Sequence, residues 1–160
     1  MAEVKSTNMN IPKATIFDLP DILELQKTAF CPVANLLDNT EIQPMIQTYD
    51  ELLQEFNKGI ILKYAQDHEI VGSVRAYVDK ENVCHVGKLI VHPNYQNKGI
   101  GKALMVEIEK KFTTCSRYLL FTGEITPNTL YLYTKLGYRE VCRTCDSACM
   151  IIMEKSNRDE

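Results

Sequence analysis

The sequence predicts a single-domain mixed α/β fold of the α+β type, with a mostly antiparallel sheet flanked by about four helices. Three observations lead there. The chain has 160 residues, room for one hydrophobic core and too few for two domains of ordinary size. Its apolar period switches between helical and alternating along the chain. The resulting elements run β, α, α, three strands, α, β, α, β, β, with no internal repeat or low-complexity stretch. The expected domain spans 1–160, with about 1–10 and 155–160 flexible.

Taken in order, Ala14 to Phe17 reads as a short strand, and Asp18 with Pro20 supplies a cap and a first-turn proline for a helix. Ile22, Leu25 and Ala29 give that helix its buried face as far as about Phe30, where Cys31-Pro32 is expected to end it. Pro32 to Gln47 shows no period and reads as a long loop placed to contact a substrate. Thr48-Tyr49-Asp50-Glu51 is a capping box, and Tyr49, Leu52, Leu53 and Phe56 line the second helix, which Asn57-Lys58-Gly59 closes.

Ile60 to Gln66, Ile70 to Val78 and Val83 to Val91 are strands separated by short polar turns, hence an antiparallel meander. From Gly99 to about Phe112 the set Ile100, Leu104, Ile108 and Phe112 recurs every four residues, a third helix. Tyr118 to Thr122 is a compact strand, and Thr126-Pro127 opens a helix through Leu136 that Gly137 stops. Glu140 to Thr144 and Ala148 to Glu154 are the closing strands.

Composition excludes several classes. Hydrophobic residues at 45% and charged residues at 24% fit a globular chain, and a net charge of −3 gives no basic field for nucleic acid. No apolar run approaches the roughly 18 residues of a membrane span, and Met1 to Asn10 lacks the apolar stretch of a secretory leader, so the expected location is the cytoplasm. The six cysteines are irregularly spaced and read as reduced, packing thiols. Cys142, Cys145 and Cys149 suggest a zinc site, but His68, His85 and His92 lie far off in sequence and no fourth ligand is near, so no metal is expected.

The segment Gln96-Asn97-Lys98-Gly99-Ile100-Gly101-Lys102 carries the chemistry. A P-loop would need glycine at 96 and a hydroxyl at 103, where Gln96 and Ala103 stand; a dinucleotide fingerprint would need a small residue at 104, where Leu104 stands. What remains is a two-glycine turn opening a helix, whose unpaired amides and dipole favour an anion such as a diphosphate. Lys98 and Lys102 add positive charge, and glycine at 99 and 101 removes Cβ atoms that would keep the anion away. On these residues alone, a plain glycine-rich turn stays open as the alternative.

Gln96 to Gly101 resembles the acetyl-CoA motif of the GNAT superfamily of acetyltransferases: Gln or Arg, two variable residues, Gly, one variable residue, then Gly or Ala. The resemblance extends upstream through Leu89-Ile90-Val91-His92-Pro93-Asn94-Tyr95 and downstream through Asn128 to Tyr138, roughly a third of the chain. It implies a GNAT-like fold with splayed central parallel strands, and an N-acetyltransferase moving an acetyl group from acetyl-CoA to a primary amine by direct attack on the thioester. A non-catalytic acyl-CoA-binding sensor on the same fold is the alternative. The resemblance implies that Leu89, Ile90 and Val91 bind the pantetheine arm, that Asn97 to Lys102 hold the pyrophosphate, and that Asn128 sits near the thioester end. The implied partners are acetyl-CoA and an amine acceptor, in a small molecule or a protein, and a homodimer is compatible with the fold.

Attack by an amine needs one proton removed from the nucleophile and one donated to the departing sulfur. A lysine-like amine of pKa about 10.4 is neutral in only about one molecule in several thousand at pH 7. His85, eleven residues before Gln96, matches the offset at which the histone-acetylating branch carries its base; Glu81 and Glu124 are reserves. A strand histidine without a role is the competing reading of His85. Tyr133 matches the family tyrosine that donates to the leaving thiolate, the bland reading being a core aromatic beside Leu130 and Leu136. Asp38, Glu41, Asp50 and Glu51 would suit a cationic acceptor, or are solvated surface.

Overall fold

Three strands build the first half of the sheet in the computed structural model, which describes residues 9–124, 127–145 and 149–157. They are β1 Ile60–Gln66, β2 Glu69–Val78 and β3 Val83–Val91, paired antiparallel. Asp67 and His68 both take positive φ, 55° and 67°, between paired Gln66 and Glu69, as a two-residue hairpin loop requires. At the next turn Asp79 Oδ1 accepts hydrogen bonds from the Glu81 and Val83 amides, at 2.9 and 3.0 Å.

The second half contains β4 Arg117–Gly123, β5 Arg139–Cys145 and β6 Cys149–Ser156. The sheet order is β1-β2-β3-β4-β6-β5, and only the β3–β4 contact is parallel. The helices are α1 Leu19–Leu37, α2 Gln43–Ile46, α3 Tyr49–Lys58, α4 Ile100–Lys110 and α5 Pro127–Lys135.

Two apolar clusters lie on the sheet. Ile100, Leu104, Met105 and Ile108 of α4 pack with Leu62, Val74, Val86, Leu120 and Met153 in the larger one. The fit is close at Gly72, where an added Cβ would stand 2.9 Å from Ile100 Cγ2. Leu19 and Ile22 of α1, Leu52 of α3 and Ile61 of β1 form the smaller cluster. Burying an aliphatic side chain of this size contributes about 1.5–3 kcal/mol, so these stripes hold the helices more firmly than helix propensity does.

Four expectations need correction. Ala14 to Phe17 is not a strand: Lys13 makes one isolated bridge to Leu62, and Ile16–Asp18 is a 3₁₀ turn closed by the Thr15/Asp18 capping box. Cys31-Pro32 does not end α1, which runs to Leu37 with Pro32 inside it. The lost backbone bond is tolerated because Ala34, 1% exposed, is anchored beyond the proline and Asp38 in left-handed conformation caps the end. Pro32 to Gln47 is therefore the last turns of α1, a turn and α2, rather than a long loop. At the C-terminus β6 includes Lys155 and Ser156, and Met9 packs on the core; positions 1–8 and 158–160 of the flexible ends lie outside the described residues.

The cysteine reading is also corrected. Cys145 and Cys149 are register partners in the β5–β6 hairpin and form a disulfide, a proximity that chain spacing alone does not reveal. Cys142 stands opposite Ile152 as an exposed free thiol, so the zinc trio loses two thiols; Cys84 and Cys115 are free and buried, and Cys31 is free and exposed.

Candidate functional site

Parallel pairing of β3 with β4 covers only Val83↔Arg117, Cys84↔Tyr118 and His85↔Leu119. Beyond that point β4 pairs with β6 and β3 with β2, so the two central strands part and leave a wedge between Val86–Val91 and Leu120–Gly123. A bulge sharpens the divergence. Ser73 pairs with Ile90 and Arg75 with Gly87, so Lys88 and Leu89 together oppose Val74, and Lys88 takes φ 50°.

At the wide end of the wedge, the chain turns into α4. His92 Nδ1 accepts from the Asn94 amide at 3.1 Å, and Gln96 Nε2 donates to Val91 O at 3.2 Å. Gln96 thus braces the turn with its side chain. Asn97 and Gly99 adopt positive φ, 63° and 84°, and the first helical bond runs from Ala103 N to Gly99 O. The amides of Ile100, Gly101 and Lys102 precede that bond and form the open N-terminus of α4.

These residues fit an anion. An added Cβ at Gly99 would meet nothing within 4 Å, and Lys98 and Lys102 are exposed beside it. At Gly101 a Cβ would make only ordinary contacts, 3.5 Å to Leu132 Cδ2 and 3.8 Å to Leu89 Cδ2, so protein packing does not require that glycine. Ile100 is a partial correction: its side chain is 3% exposed and belongs to the core, leaving only its amide for a ligand.

The Leu132 contact places α5 against the start of α4, and Thr122 Oγ1 lies 2.8 Å from Thr129 Oγ1, tying α5 to β4. Asn128 is exposed in the first turn of α5. Tyr133 is buried in the larger core cluster, its ring centroid 6.0 Å from that of Tyr138. Burial pushes its phenol well above the usual range, so it stays protonated through neutral pH.

His85 occupies the last β3–β4 pair before the wedge opens. Its Nε2 lies 2.7 Å from Asp79 Oδ2, and its ring stacks on Tyr77 at 4.8 Å. The hydrogen bond from His85 holds the Asp79 carboxyl below its usual range. Glu124 is paired with Arg143 at 3.1 Å, and Glu81 is exposed in the β2–β3 turn.

Sequence reasoning missed the polar assembly under α1 and α3. Arg75, 5% exposed, donates from Nη2 to Gln26 Oε1 and Gln47 Oε1, both at 2.9 Å, and its Nε lies 2.6 Å from Glu55 Oε1. Gln26 Nε2 donates in turn to Gln47 Oε1 and Pro44 O, and Gln47 Nε2 to Glu55 Oε2. Burial lowers the Arg75 guanidinium pKa, with Glu55 opposing the shift. Next to this assembly stands half-buried Lys88, whose pKa is lowered to about 8 by burial and then by the Arg75 charge, against Glu55 and Glu51. A signal existed: Gln26 follows Ile22 by four positions on the apolar face of α1, and Arg75 interrupts an apolar strand.

A hollow of about 870 Å³ borders Leu23, Lys27, Cys31, Met45 and Tyr49, on the face of α1 opposite Ile22 and Gln26. It does not adjoin the wedge.

Comparison with known proteins agrees with this architecture. The sequence model of the acetyltransferase (GNAT) family matches residues 19–138. Among solved structures, the PaiA N-acetyltransferase of Thermoplasma acidophilum, in complex with coenzyme A, is 22% identical. It superposes with a TM-score of 0.81 over 93% of this chain and 99% of that one. The ribosomal-protein-S18-alanine N-acetyltransferase of Escherichia coli is 16% identical, with a TM-score of 0.76 over 94% and 95%. At these identities the likeness establishes the fold. Comparison with curated protein sequences yields no match.

Proposed function

The chain belongs to the acetyltransferase (GNAT) family, and from that premise we propose that it is an N-acetyltransferase moving an acetyl group from acetyl-CoA to a primary amine. The observation that carries this reading is the wedge between β3 and β4, opening onto the uncapped N-terminus of α4. Bound acetyl-CoA supplies the acyl group already activated as a thioester.

The amides of residues 100–102, with Lys98 and Lys102 alongside, hold the diphosphate. Leu89, Ile90 and Val91 offer backbone groups along the pantetheine arm where β4 has moved away, and Asn128 flanks the same opening. His85 accepts the proton of the attacking amine, and Asp79, 2.7 Å from its Nε2, fixes the orientation of the ring. Tyr133, kept protonated by burial, donates a hydrogen bond to the departing sulfur.

The test pairs calorimetry of CoA binding with free-thiol release from acetyl-CoA over a panel of primary amines. Binding with amine-dependent thiol release supports the enzyme, and binding with no release from any amine favours the sensor. Absence of CoA binding contradicts the reading altogether.

A further inference from the structure

Lys88 is the charged residue of β3 whose placement the catalytic reading does not use. It sits in the bulge halfway along the wedge, in a left-handed conformation that an ordinary strand residue avoids. Pairing of Arg75 with Gly87, together with the charges of Arg75, Glu55 and Glu51 acting on Lys88, puts its amine on the α1/α3 side of the sheet. That side is opposite α4, whose N-terminus is left open.

Charged groups surround this amine unevenly. Arg75 is held by Gln26, Gln47 and Glu55, and Glu51 by its capping box with Thr48. The Lys88 amine has no hydrogen bond or ion pair among the described residues. A half-buried amine with no anionic partner is partly relieved of its proton, and here its pKa falls to about 8. Chemically it is what this family's site acts on: a free primary amine beside the wedge.

We propose that Lys88 Nζ is an internal acyl acceptor, a modification site on which the protein places the acyl group of its own bound acyl-CoA. The inference rests on the acyl-CoA reading of the wedge. The free-base nitrogen attacks the thioester carbonyl carbon, the C–N bond forms and the C–S bond breaks. The nitrogen's proton passes to the leaving thiolate, so the products are an Nζ-acyl amide and CoA thiol. Acylation removes the positive charge and fills the α1/α3 side of the wedge, which would slow transfer to any external amine.

The full-length protein is incubated with acetyl-CoA near pH 8 and the acetylated peptides are mapped by mass spectrometry, with CoA binding measured on the same sample. Lys88 is expected to gain one acetyl group at least about tenfold faster than exposed Lys102. A pKa two units below the usual value of about 10.4 raises the free-amine fraction roughly a hundredfold, partly offset by lower basicity. Excess CoA should suppress labelling at Lys88, and K88R should remove that site. A second arm uses trace acetic anhydride without acyl-CoA, in which Lys88 should again react before Lys102 and CoA should protect it.

Equal labelling of Lys88 and Lys102 in either arm, or labelling of Lys88 undiminished by CoA, overturns the proposal. CoA binding with no label on Lys88 overturns it too, while leaving the acyltransferase reading intact. Failure to bind CoA removes that reading, and this inference with it. Because the wild-type peptide is read directly, the result does not depend on K88R folding.

Discussion

The two sides of the central wedge are built on different principles. On the α4 side, backbone does the work: two positive-φ residues, three open amides and a splayed strand edge. On the α1/α3 side, side chains from four elements and the α2–α3 connection do it: Gln26, Gln47, Glu55, Arg75 and Lys88. A backbone site needs a short contiguous segment and tolerates any side chain that leaves room. A side-chain assembly has no local signature.

The largest effect that would test this contrast is at Arg75. Arg75→Met leaves the buried Gln26 and Gln47 oxygens without their donor beneath α1 and frees half-exposed Glu55, and two such unsatisfied groups cost about 3 kcal/mol together. Urea denaturation is expected to show that loss, with CoA affinity of the folded protein changed less than twofold. A comparable fall in CoA affinity would mean that the two sides are not independent.

Tyr133→Phe is the converse. It is expected to lower kcat about a hundredfold with little change in CoA affinity or stability; an unchanged kcat would return Tyr133 to a packing role. His85→Ala is expected to lower kcat/KM by about tenfold or more, and an unchanged kcat/KM would discard it as the base.

Gly101→Ala separates ligand space from protein space. Its Cβ makes only ordinary contacts with Leu132 and Leu89, so stability should hold or rise by about 0.5 kcal/mol. CoA affinity should nevertheless fall about tenfold, measured by calorimetry. Undiminished affinity would show that no ligand passes over that position.

The remaining effect is a pH dependence. Folding lowers the Lys88 pKa, so the unfolded chain binds the extra proton, and this residue's penalty is fully present below about pH 8. It is relieved as pH rises toward the unfolded value of about 10.4. Wild type should therefore gain stability relative to K88M between those limits, and parallel stability curves for the two proteins would contradict the burial of that amine. Comparing the two cancels the buried tyrosines, which act in the opposite sense above about pH 10.

Legibility in the sequence follows the same division. Ile60–Gln66 and Val83–Val91 were readable to the residue because alternation and polar turns are local, and Gly99 and Gly101 marked the turn into α4. Pro32 misled because a breaker acts locally whereas the burial of Ala34 is tertiary. The Cys145–Cys149 pairing depended on a hairpin register, and the Arg75 assembly joins positions 26, 47, 55 and 75, which only the folded topology brings together. Lys88 reads as an unremarkable strand lysine until the bulge beside Val74 is seen.

The central claim is that the wedge and the α4 turn form one acyl-CoA site, and amide chemical-shift mapping with added CoA tests it most directly. The account predicts saturable shifts at Leu89–Val91 and Ile100–Lys102, with the distant β5 amides of Arg139–Cys145 unmoved. Shifts confined to other surfaces, or none at saturating CoA, would contradict it.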